Sequence, residues 1–534
     1  TGGAIYAFDR GKVTLNYTTI ASNTASLNGQ NIALSDLNTS LAFNSSLIAH
    51  NSGTNCYITA GTIIDNGYNL DSGTSCGLTQ TTSITNTNPL LEPLVDNGGD
   101  TETHALLSNS AALNHIPNGT NSCGTEVTAD QRGIIRPQES SCEIGAYEAP
   151  PPSLCFVEFG NDADTITDFS SADGSAIQEA INAAVSGDML HIAGTCTGVV
   201  NTNSTNQTAY ISKTLTLIGG YSSTWVYDPD TYTTTLDADD SGRVLYLDGN
   251  IAVTLQSLTL QNGNIGDHGG GIYNNTDLTL ENVILENNET NNLTNNQHGG
   301  GLYNDGGQLN ITNSLIQNNS TGRSIVPNTA DSGHGGGIYT SGPTVITTST
   351  ISSNTTNTPP SFFSPGGNSG SGAGIYASAP LTITGSLITN NNTNNAAAGS
   401  SPPIGDGEDG GDSGSGAGIY SVSSLQVMNS YITANNIGNG GNGSNASPSP
   451  MASSGGNGGN SGFGAAIYST GTVTIENSYI LSNTIGAGGN GGTGVSGGGN
   501  GLTGQDGVGA GAYSAGPFTS TNDIISGNQS VGGG

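Results

Sequence analysis

Short stretches in which apolar and polar residues alternate recur along most of the chain. Val473 and Ile475 flank Thr474, and residues 278–280 show the same order. A period of two predicts β-strands that bury one face and expose the other. Turn-forming Gly, Asn and Ser residues separate these stretches, so each repeat is predicted to hold about three short strands.

Two phrases recur with the strands. A glycine-rich triplet followed by Ile or Leu and then Tyr occurs at 269–273, 299–303, 335–339, 372–376, 416–420, 464–468 and 509–513, with a further copy at 2–6. An Ile-x-x-Asn phrase follows each alternating stretch and supplies Asn287, Asn319, Asn354, Asn391, Asn435, Asn483 and Asn528.

These repeats predict an all-β fold, a right-handed parallel β-helix. One repeat cannot bury its own apolar face, whereas stacked coils share one core and pair their strands about 4.8 Å apart. The recurring asparagines are expected to form a hydrogen-bonded ladder at a turn, in the left-handed conformation that Asn tolerates. The glycines are expected where side chains would clash.

Long glycine-rich loops are predicted to leave one corner of the coils. The spacing of the recurring asparagines grows from 287 − 262 = 25 residues to 483 − 435 = 48, and the extra residues always precede the next glycine triplet. The segments 436–462 and 484–508 are almost entirely Gly, Asn, Ser and Ala. They are either flexible linkers or extended polyglycine-II-like threads joined by backbone hydrogen bonds.

The first part of the chain has the character of the end of a solenoid. Residues 1–55 resemble late coils, and 56–148 are irregular and contain cysteines. The phrases that carry a resemblance lie at 88–91, 96–107, 130–133, 136–137 and 142–148. In this order they resemble the C-terminal cap of bacterial choice-of-anchor (anchor Q) surface proteins. The resemblance implies that this region closes a β-helix, and here a Pro-rich linker, 149–154, follows it.

A second solenoid is predicted to begin after the linker. Residues 155–205 are expected to form an N-terminal cap that includes an amphipathic helix at 175–185, with Ser175 as its N-cap. Coils then fill 206–534. A helix over the first coil resembles the start of pectin-lyase-like β-helices, and it would cover strand edges that otherwise recruit other chains.

The two halves are expected to be complementary. Residues 528–534 followed by 1–6 would continue the repeat, so 151–534 and then 1–150 describe one solenoid capped at both ends. We therefore expect head-to-tail stacking, which produces a filament when the rotation does not close. The units would be separate copies or segments of one tandem polypeptide. The alternative is that the chain is an arbitrary fragment.

Composition restricts the partners and the compartment. The chain has 7 Lys+Arg against 40 Asp+Glu, a net charge of −33. This disfavours nucleic-acid binding, which needs cationic side chains, and no apolar run is long enough to span a membrane. Sequential pairing of the six cysteines predicts the disulfides Cys56–Cys76, Cys123–Cys142 and Cys155–Cys196 and an extracellular or cell-surface location. The alternative is buried free thiols.

Enzyme chemistry is not predicted, although β-helices host polysaccharide lyases and glycoside hydrolases. From residue 230 onward the only basic residues are Arg243 and Arg323, and a lyase needs such groups to bind acidic sugars. A glycosidase needs two carboxylates about 5–10 Å apart. The coils offer only scattered ones: Asp267, Asp277, Glu281, Glu286 and Asp305.

Two clusters suggest metal ligands. His268, His298 and His334 each precede a glycine triplet in successive coils and would either bind a transition metal or form an aromatic stack. Calcium could bind acidic turns: Asp237, Asp239 and Asp240, and further turns near 228–230 and 406–412. Solvated turns are the alternative, and no cofactor other than calcium is suggested.

We therefore expect a structural subunit of an extracellular filament or cell-surface sheath, whose partner is another copy of itself. The alternative function is an adhesin stalk that touches a surface or a glycan through its glycine-rich loops. A polysaccharide lyase or glycoside hydrolase is the third hypothesis.

Overall fold

The computed structural model describes residues 2–25, 29–49, 54–97, 99–107, 110–138, 140–149, 154–160, 168–223, 225–291, 297–322, 331–358, 365–449 and 451–531. Most of the predicted linker (150–153) and the junction residues 532–534 and Thr1 lie outside these ranges. The chain divides into two compact units, Thr1–Pro152 (unit 1) and Ser153–Gly534 (unit 2). The division falls within the predicted linker.

Unit 2 is a right-handed parallel β-helix, as the repeats predicted. Each regular coil has up to four strands, named A to D in chain order. Strand A holds the Ile-Tyr of the triplet phrase, and strand B is the alternating stretch. Strand C precedes the recurring asparagine, and strand D follows it.

The strands of unit 2 have the following bounds. Strands A are Leu302–Asn304, Ile338–Thr340, Ile375–Ala377, Ile419–Ser421, Ile467–Ser469 and Ala512–Ser514, and the strand Ile272–Glu281 combines A and B. The other strands B are Leu309–Thr312, Thr344–Thr347, Leu381–Thr384, Leu425–Met428, Val473–Glu476 and Phe518–Thr521. Strands C are Thr259–Gln261, Ile284–Glu286, Leu315–Gln317, Thr350–Ser352, Leu387–Thr389, Tyr431–Thr433, Tyr479–Leu481 and Ile524–Ser526. Strands D are Asn264–Ile265, Glu289–Thr290, Ser320–Thr321, Thr355–Thr356, Asn436–Ile437, Thr484–Ile485 and Gln529–Ser530.

In the regular coils, strands A, B and C pair in parallel with the same strand of the next coil. In strand A, Ile375 lies opposite Ile419, which lies opposite Ile467. The inward positions of strands A, B and C, for example Ile419, Val427 and Ile432, are fully buried. Because the register keeps Ile, Leu and Val in columns, the core runs without interruption through the coils.

The first part of unit 2 covers the start of this core. It contains the helix Ser175–Ala183 and the strands Cys155–Phe159, Phe169–Ser171, Met189–Thr197, Val200–Thr202, Thr205–Ile211, Leu215–Tyr221, Thr235–Asp237 and Arg243–Gln256. The helix buries Ile177 and Ile181. The predicted N-cap was wrong by one residue, because Gly174 holds that position and Ser175 is helical. The Asp173 carboxylate accepts from the Ser175 N–H at 2.9 Å instead.

Unit 1 has shorter coils of the same kind. Its strands are Ile5–Ala7, Lys12–Asn16, Thr19–Ala21, Ile32–Asn44, Leu47–Ala49, Cys56–Asp65, Leu70–Asp71 and Ile84–Thr85. The long strands join A and B, so Ile5 pairs with Ile32 and Val13 with Leu41, all in parallel. An irregular cap with the strands Leu91–Val95, Thr103–Leu106, Ile116–Pro117 and Ser141–Cys142 follows.

The three predicted disulfides are confirmed. Cys56–Cys76 and Cys123–Cys142 lie in unit 1, and Cys155–Cys196 joins two strands at the start of unit 2. The described residues hold no free cysteine. Disulfides of this kind fit a secreted protein.

Candidate assembly surfaces

The glycine triplet is explained by the corner where each coil turns into strand A. The first glycine has a positive φ in every copy in unit 2, for example 64° at Gly372 and 61° at Gly416, a conformation that side chains disfavour. The third glycine packs on the asparagine ladder. A Cβ at Gly374 would lie 3.0 Å from Cγ of Asn391 and 2.6 Å from the Gly418 carbonyl oxygen.

The asparagine ladder is present in unit 2. Each ladder asparagine donates from Nδ2 to Oδ1 of the next, as Asn354 does to Asn391 at 3.0 Å and Asn391 to Asn435 at 2.9 Å. The chain of bonds continues through Asn483 to Asn528. These side chains are buried in all coils before the last.

One member of the predicted ladder was wrong. Asn288, not Asn287, donates to Asn319, at 3.0 Å. Asn287 has a φ of 55° and forms the left-handed turn, a position taken by Asn390 and Gly527 in other coils. Two adjacent residues therefore share the role that the sequence assigned to one. The first residue is left-handed and makes the turn, and the turn directs the side chain of the second residue into the corner.

Unit 1 contains a related chain of amides. Nδ2 of Asn23 donates to Oδ1 of Asn31 at 3.0 Å, and Asn31 donates to Asn55 at 2.9 Å. Asn55 then donates to the carboxylate of Asp71 at 2.6 Å. Asp71 also accepts the N–H groups of Gly73 and Cys76. A carboxylate only accepts, so the chain of donors stops there.

A second ladder, of hydroxyls, was missed by the sequence analysis. The Ser386 N–H donates to Oγ of Ser430, and the Ser430 N–H to Oγ of Ser478. The same bonds run from Val283 through Ser314 and Ser349 to Ser386, and from Ser478 to the carboxylate of Asp523. The signal was the constant spacing of five residues between each hydroxyl and its ladder asparagine, as in Ser430 and Asn435.

Unit 1 repeats the hydroxyl ladder. The Thr18 N–H donates to Oγ of Ser46 at 3.2 Å, and the Ser46 N–H donates to Oδ1 of Asn69 at 2.8 Å. Oγ1 of Thr18 also bonds the carbonyl oxygen of Asn16, two residues before it, as Oγ of Ser430 bonds that of Met428. The hydroxyl ladder is therefore common to both units, whereas Asn31 and Asn55 of unit 1 precede strand A and the ladder asparagines of unit 2 follow strand C.

Tyrosines form a continuous stack on the outer side of strand A. The rings of Tyr339, Tyr376 and Tyr420 are stacked with centroids 5.0 and 4.7 Å apart. The column extends without a gap from Tyr246 to Tyr513. Burial raises the pKa of Tyr420 to about 12, so its hydroxyl is neutral at physiological pH.

The histidine column is an aromatic stack, one of the two alternatives that the sequence left open. The rings of His268, His298 and His334 are parallel, with centroids 5.1 and 5.0 Å apart. Nδ1 of His268 and of His298 accepts the backbone N–H of the next histidine at 2.9 Å, and Nδ1 of His334 accepts that of Ser371. This uses the Nδ1 lone pair, and the neutral ring then carries its proton on Nε2.

Burial keeps these rings neutral. It lowers the pKa of His298 to about 3 and of His334 to about 4. The nearby Asp267 pairs with the guanidinium of Arg243 at 3.3 Å. No group of three or more His, Cys, Asp or Glu residues in the described ranges is arranged to hold a metal ion.

The acidic turn at Asp237, Asp239 and Asp240 makes hydrogen bonds to its own backbone and to neighbouring side chains. The Asp237 carboxylate accepts the side-chain amides of Gln261 and Asn262 at 2.8 and 3.0 Å. It also accepts the Asp239 N–H at 2.9 Å. The turn is thus tied to the next coil by hydrogen bonds.

The scattered carboxylates of the coils also join neighbouring coils. Asp305 accepts the Tyr273 hydroxyl at 3.2 Å, and Asp277 accepts the Gln308 N–H at 3.0 Å. Glu286 accepts Nε2 of Gln317 at 2.7 Å. Each of the three therefore bonds a residue one coil away.

The glycine-rich loops form backbone-bonded threads, which confirms the thread hypothesis against flexible linkers. Each loop has an outgoing thread, which leaves the coil after the ladder asparagine, and a returning thread, which leads back to strand A. Every third N–H of a returning thread donates to the returning thread of the next coil, as from Gly407, Gly410 and Ser413. The N–H between them crosses to an outgoing thread, as from Gly411 to Ala397 at 2.9 Å. An Asn or Asp oxygen accepts the remaining N–H, as Asp409 does from Asn457. This period of three is that of extended three-residue helices.

Ion pairs hold the cap of unit 1 together. Arg136 and Glu148 form a pair at 3.1 Å, and both side chains are fully buried. Arg132 pairs with Asp130 at 2.7 Å. Glu143 lies beside Glu148, and burial together with that neighbour raises its pKa well above the usual range.

The last described coil of unit 2 exposes core-type side chains. Phe518 is 39% exposed and Ile525 48%. Their partners one coil earlier, Val473 and Ile480, are fully buried. Val531 is 66% exposed. This coil therefore presents an apolar cross-section of the β-helix.

The first coil of unit 1 is less exposed than the last coil of unit 2: Leu15 and Ile20 are buried, whereas Ile5 and Val13 are partly exposed. A cavity of about 420 Å³ opens there, lined by the inward side chains Ile5, Leu15 and Ile20 and by cap residues. Arg10 and Lys12, two of the few cationic residues of the chain, are exposed in the same coil. A cationic edge favours approach of another acidic copy.

None of the helices in the described ranges has the length and apolar character needed to cross a membrane. In comparisons with known proteins, the chain matches no family profile, no curated protein and no solved structure.

Proposed function

We propose that the protein is a structural subunit of an extracellular filament or cell-surface sheath. The coil at 512–531 of one chain stacks on the coil at 2–23 of the next chain. The neighbour is a separate copy or the following segment of a tandem polypeptide. The observation that carries this proposal is the exposure of Phe518 and Ile525, whose partners in the preceding coil, Val473 and Ile480, are fully buried.

The chemistry of the two coils supports this assembly. An exposed cross-section of a β-helix combines apolar side chains with unpaired strand edges, which readily add another strand. The surfaces on the two coils differ, so the contact is heterologous and repeats indefinitely unless the rotation closes it. A filament is the expected product.

The remaining features fit a structural role at a cell surface. The three disulfides suit an oxidising compartment. The order of motifs in 56–148 supports relating unit 1 to the caps of choice-of-anchor surface proteins, and the start of unit 2 supports a relation to pectin-lyase-like β-helices. The stacked tyrosines and backbone-bonded threads give the coils a rigid outer layer.

Electron microscopy and light scattering of the purified protein test the proposal. We expect rods whose lengths are multiples of the length contributed by one chain. Ile525→Asp places a charge in the contact and is expected to leave single units with an unchanged β-sheet circular dichroism spectrum. Ile404→Asp, at a loop position that is 69% exposed, is the matched control and should still assemble.

A wild-type protein that stays a single unit at high concentration would contradict the proposal. If the natural neighbour is joined covalently, two copies of the sequence expressed as one polypeptide should form one rod of double length. In that case single units still associate, but more weakly.

An adhesin stalk is the second candidate, favoured by one groove between returning threads. This groove of about 430 Å³ is lined by Asp331, Asn368, Asp409, Asp412 and Asn460 among other residues. Regular rows of carboxylates and amides offer hydrogen bonds to sugar hydroxyls. Glycan-array binding that is lost in Asp409→Ala would support this function, and binding unaffected by that change would oppose it.

A further inference from the structure

The two ladders have a direction. In both units the N–H donor belongs to the coil with lower residue numbers, and the side-chain oxygen belongs to the coil with higher numbers. Asn483 donates to Asn528 at 2.8 Å, and the Ser478 N–H donates to the Asp523 carboxylate at 2.7 Å. Thr18 donates to Ser46 in the same sense.

The exposed coils therefore present opposite halves of these bonds. The coil at 512–531 presents the N–H groups of Asp523 and Asn528. In earlier coils the N–H groups at the same two positions donate to the next coil. The coil at 2–23 presents Oγ1 of Thr18 and Oδ1 of Asn23, the oxygens that accept at the corresponding positions. One surface lacks acceptors where the other offers them.

The backbones of the two coils match at these positions. Residues 13–23 correspond to 518–528 without insertion or deletion. The left-handed residues coincide, since Tyr17 and Ser22 have φ values of 45° and 58° where Asn522 and Gly527 have 59° and 68°. Two corners with the same turn place their ladder residues in the same positions.

We propose that the ladders set the register of the head-to-tail contact. The Asn528 side chain and N–H donate to Oδ1 of Asn23, and the Asp523 N–H donates to Oγ1 of Thr18. This register rests on the proposed assembly and makes it more specific. It pairs Phe518 with Val13 and Ile525 with Ile20.

The far ends of the amide ladder agree with this register. In unit 2 the ladder begins at Gly263, which has no side chain and only donates its N–H to Asn288. In unit 1 it ends at Asp71, which only accepts. Joining Asn528 to Asn23 therefore completes a single polar chain of amides that starts at a glycine and stops at a carboxylate.

Cysteine cross-linking tests the register. Thr519 and Thr14 both point outward, are exposed, and lie opposite each other in this register. Paired residues of adjacent strands lie within the distance a disulfide spans, and the native cysteines are all engaged. We expect the double variant Thr14→Cys and Thr519→Cys to form disulfide-linked multimers on mild oxidation.

Lys12→Cys and Asn16→Cys, each combined with Thr519→Cys, are the matched controls. They place the thiol on the same exposed face but two residues out of register, and we expect severalfold less cross-linking. Filaments that cross-link best through residue 12 or 16 would overturn the register and leave the assembly intact. Absence of both filaments and cross-links would overturn the assembly itself.

Discussion

The asparagine ladder should be a major source of stability, and Asn391→Ala tests this directly. The Asn391 side chain makes four hydrogen bonds. Its Oδ1 accepts the N–H and Nδ2 of Asn354 at 3.1 and 3.0 Å. Its Nδ2 donates to the Ile351 carbonyl at 3.0 Å and to Asn435 at 2.9 Å.

The magnitude follows from these contacts. A buried hydrogen bond contributes about 1 kcal/mol net, so the loss of four costs about 4 kcal/mol in the free energy of unfolding. The Asn354 N–H is left buried without its acceptor, which makes this figure a lower bound. Coils contact only their neighbours, so the damage should be concentrated in the coils on either side.

Urea unfolding and amide hydrogen exchange measure the effect. We expect a lower unfolding midpoint and faster exchange of the Asn354 N–H. The control is Asn390→Gly, at the exposed left-handed neighbour with a φ of 56°. It should change stability by less than about 1 kcal/mol, because glycine accepts that conformation. A cost below about 1 kcal/mol for Asn391→Ala, with the Asn354 N–H still protected, would refute the reasoning.

Three further predictions concern other parts of the coils and the cap. Gly374→Ala should lower the unfolding free energy by about 1–3 kcal/mol, because its Cβ presses on the ladder; Ala466→Gly, at the same position of a coil that already accepts alanine, is the control in the same urea titration. The folded pKa of His298, about 3, lies below its ordinary 6.5, so the unfolded chain binds the proton first and stability falls as pH drops from 6.5 towards 3. His298→Ser keeps an acceptor and should reduce this acid sensitivity, measured as the difference in urea midpoint between pH 7 and pH 4. The pKa of Glu143 is raised in the folded cap, so the folded cap keeps a proton that the unfolded chain releases near pH 4.5. Stability is therefore lost as pH rises above 4.5. Glu143→Gln should flatten the pH dependence of the melting temperature, and an unchanged slope would show that Glu143 is not the responsible group.

The repeat phrases were sufficient to predict the β-helix, because alternation and strict spacing leave little freedom in which face is buried. The lengthening loops were also interpretable, since Gly-Gly-Asn triplets in matching positions of successive coils favour backbone pairing. Hydrogen bonding between threads needs only glycine at the contacts and therefore leaves a compositional trace.

The errors and the alternatives left open have a common cause. Asn287 and Asn288 are adjacent asparagines, and only the turn geometry decides which one is left-handed and which one enters the ladder. His268 and His298 had the spacing of ligands, yet the sequence does not reveal that a backbone N–H occupies Nδ1. The hydroxyl ladder was hidden because serine is common throughout the chain.

The threads also determine how the protein can change length. Each turn of a thread uses three residues, so one added triplet extends the bonded layer by one turn and leaves every other bond in place. The last two asparagine spacings, 483 − 435 = 48 and 528 − 483 = 45, differ by one such triplet. A change of three residues therefore keeps the bonded threads in phase, whereas the change from 435 − 391 = 44 to 48 residues does not follow this step.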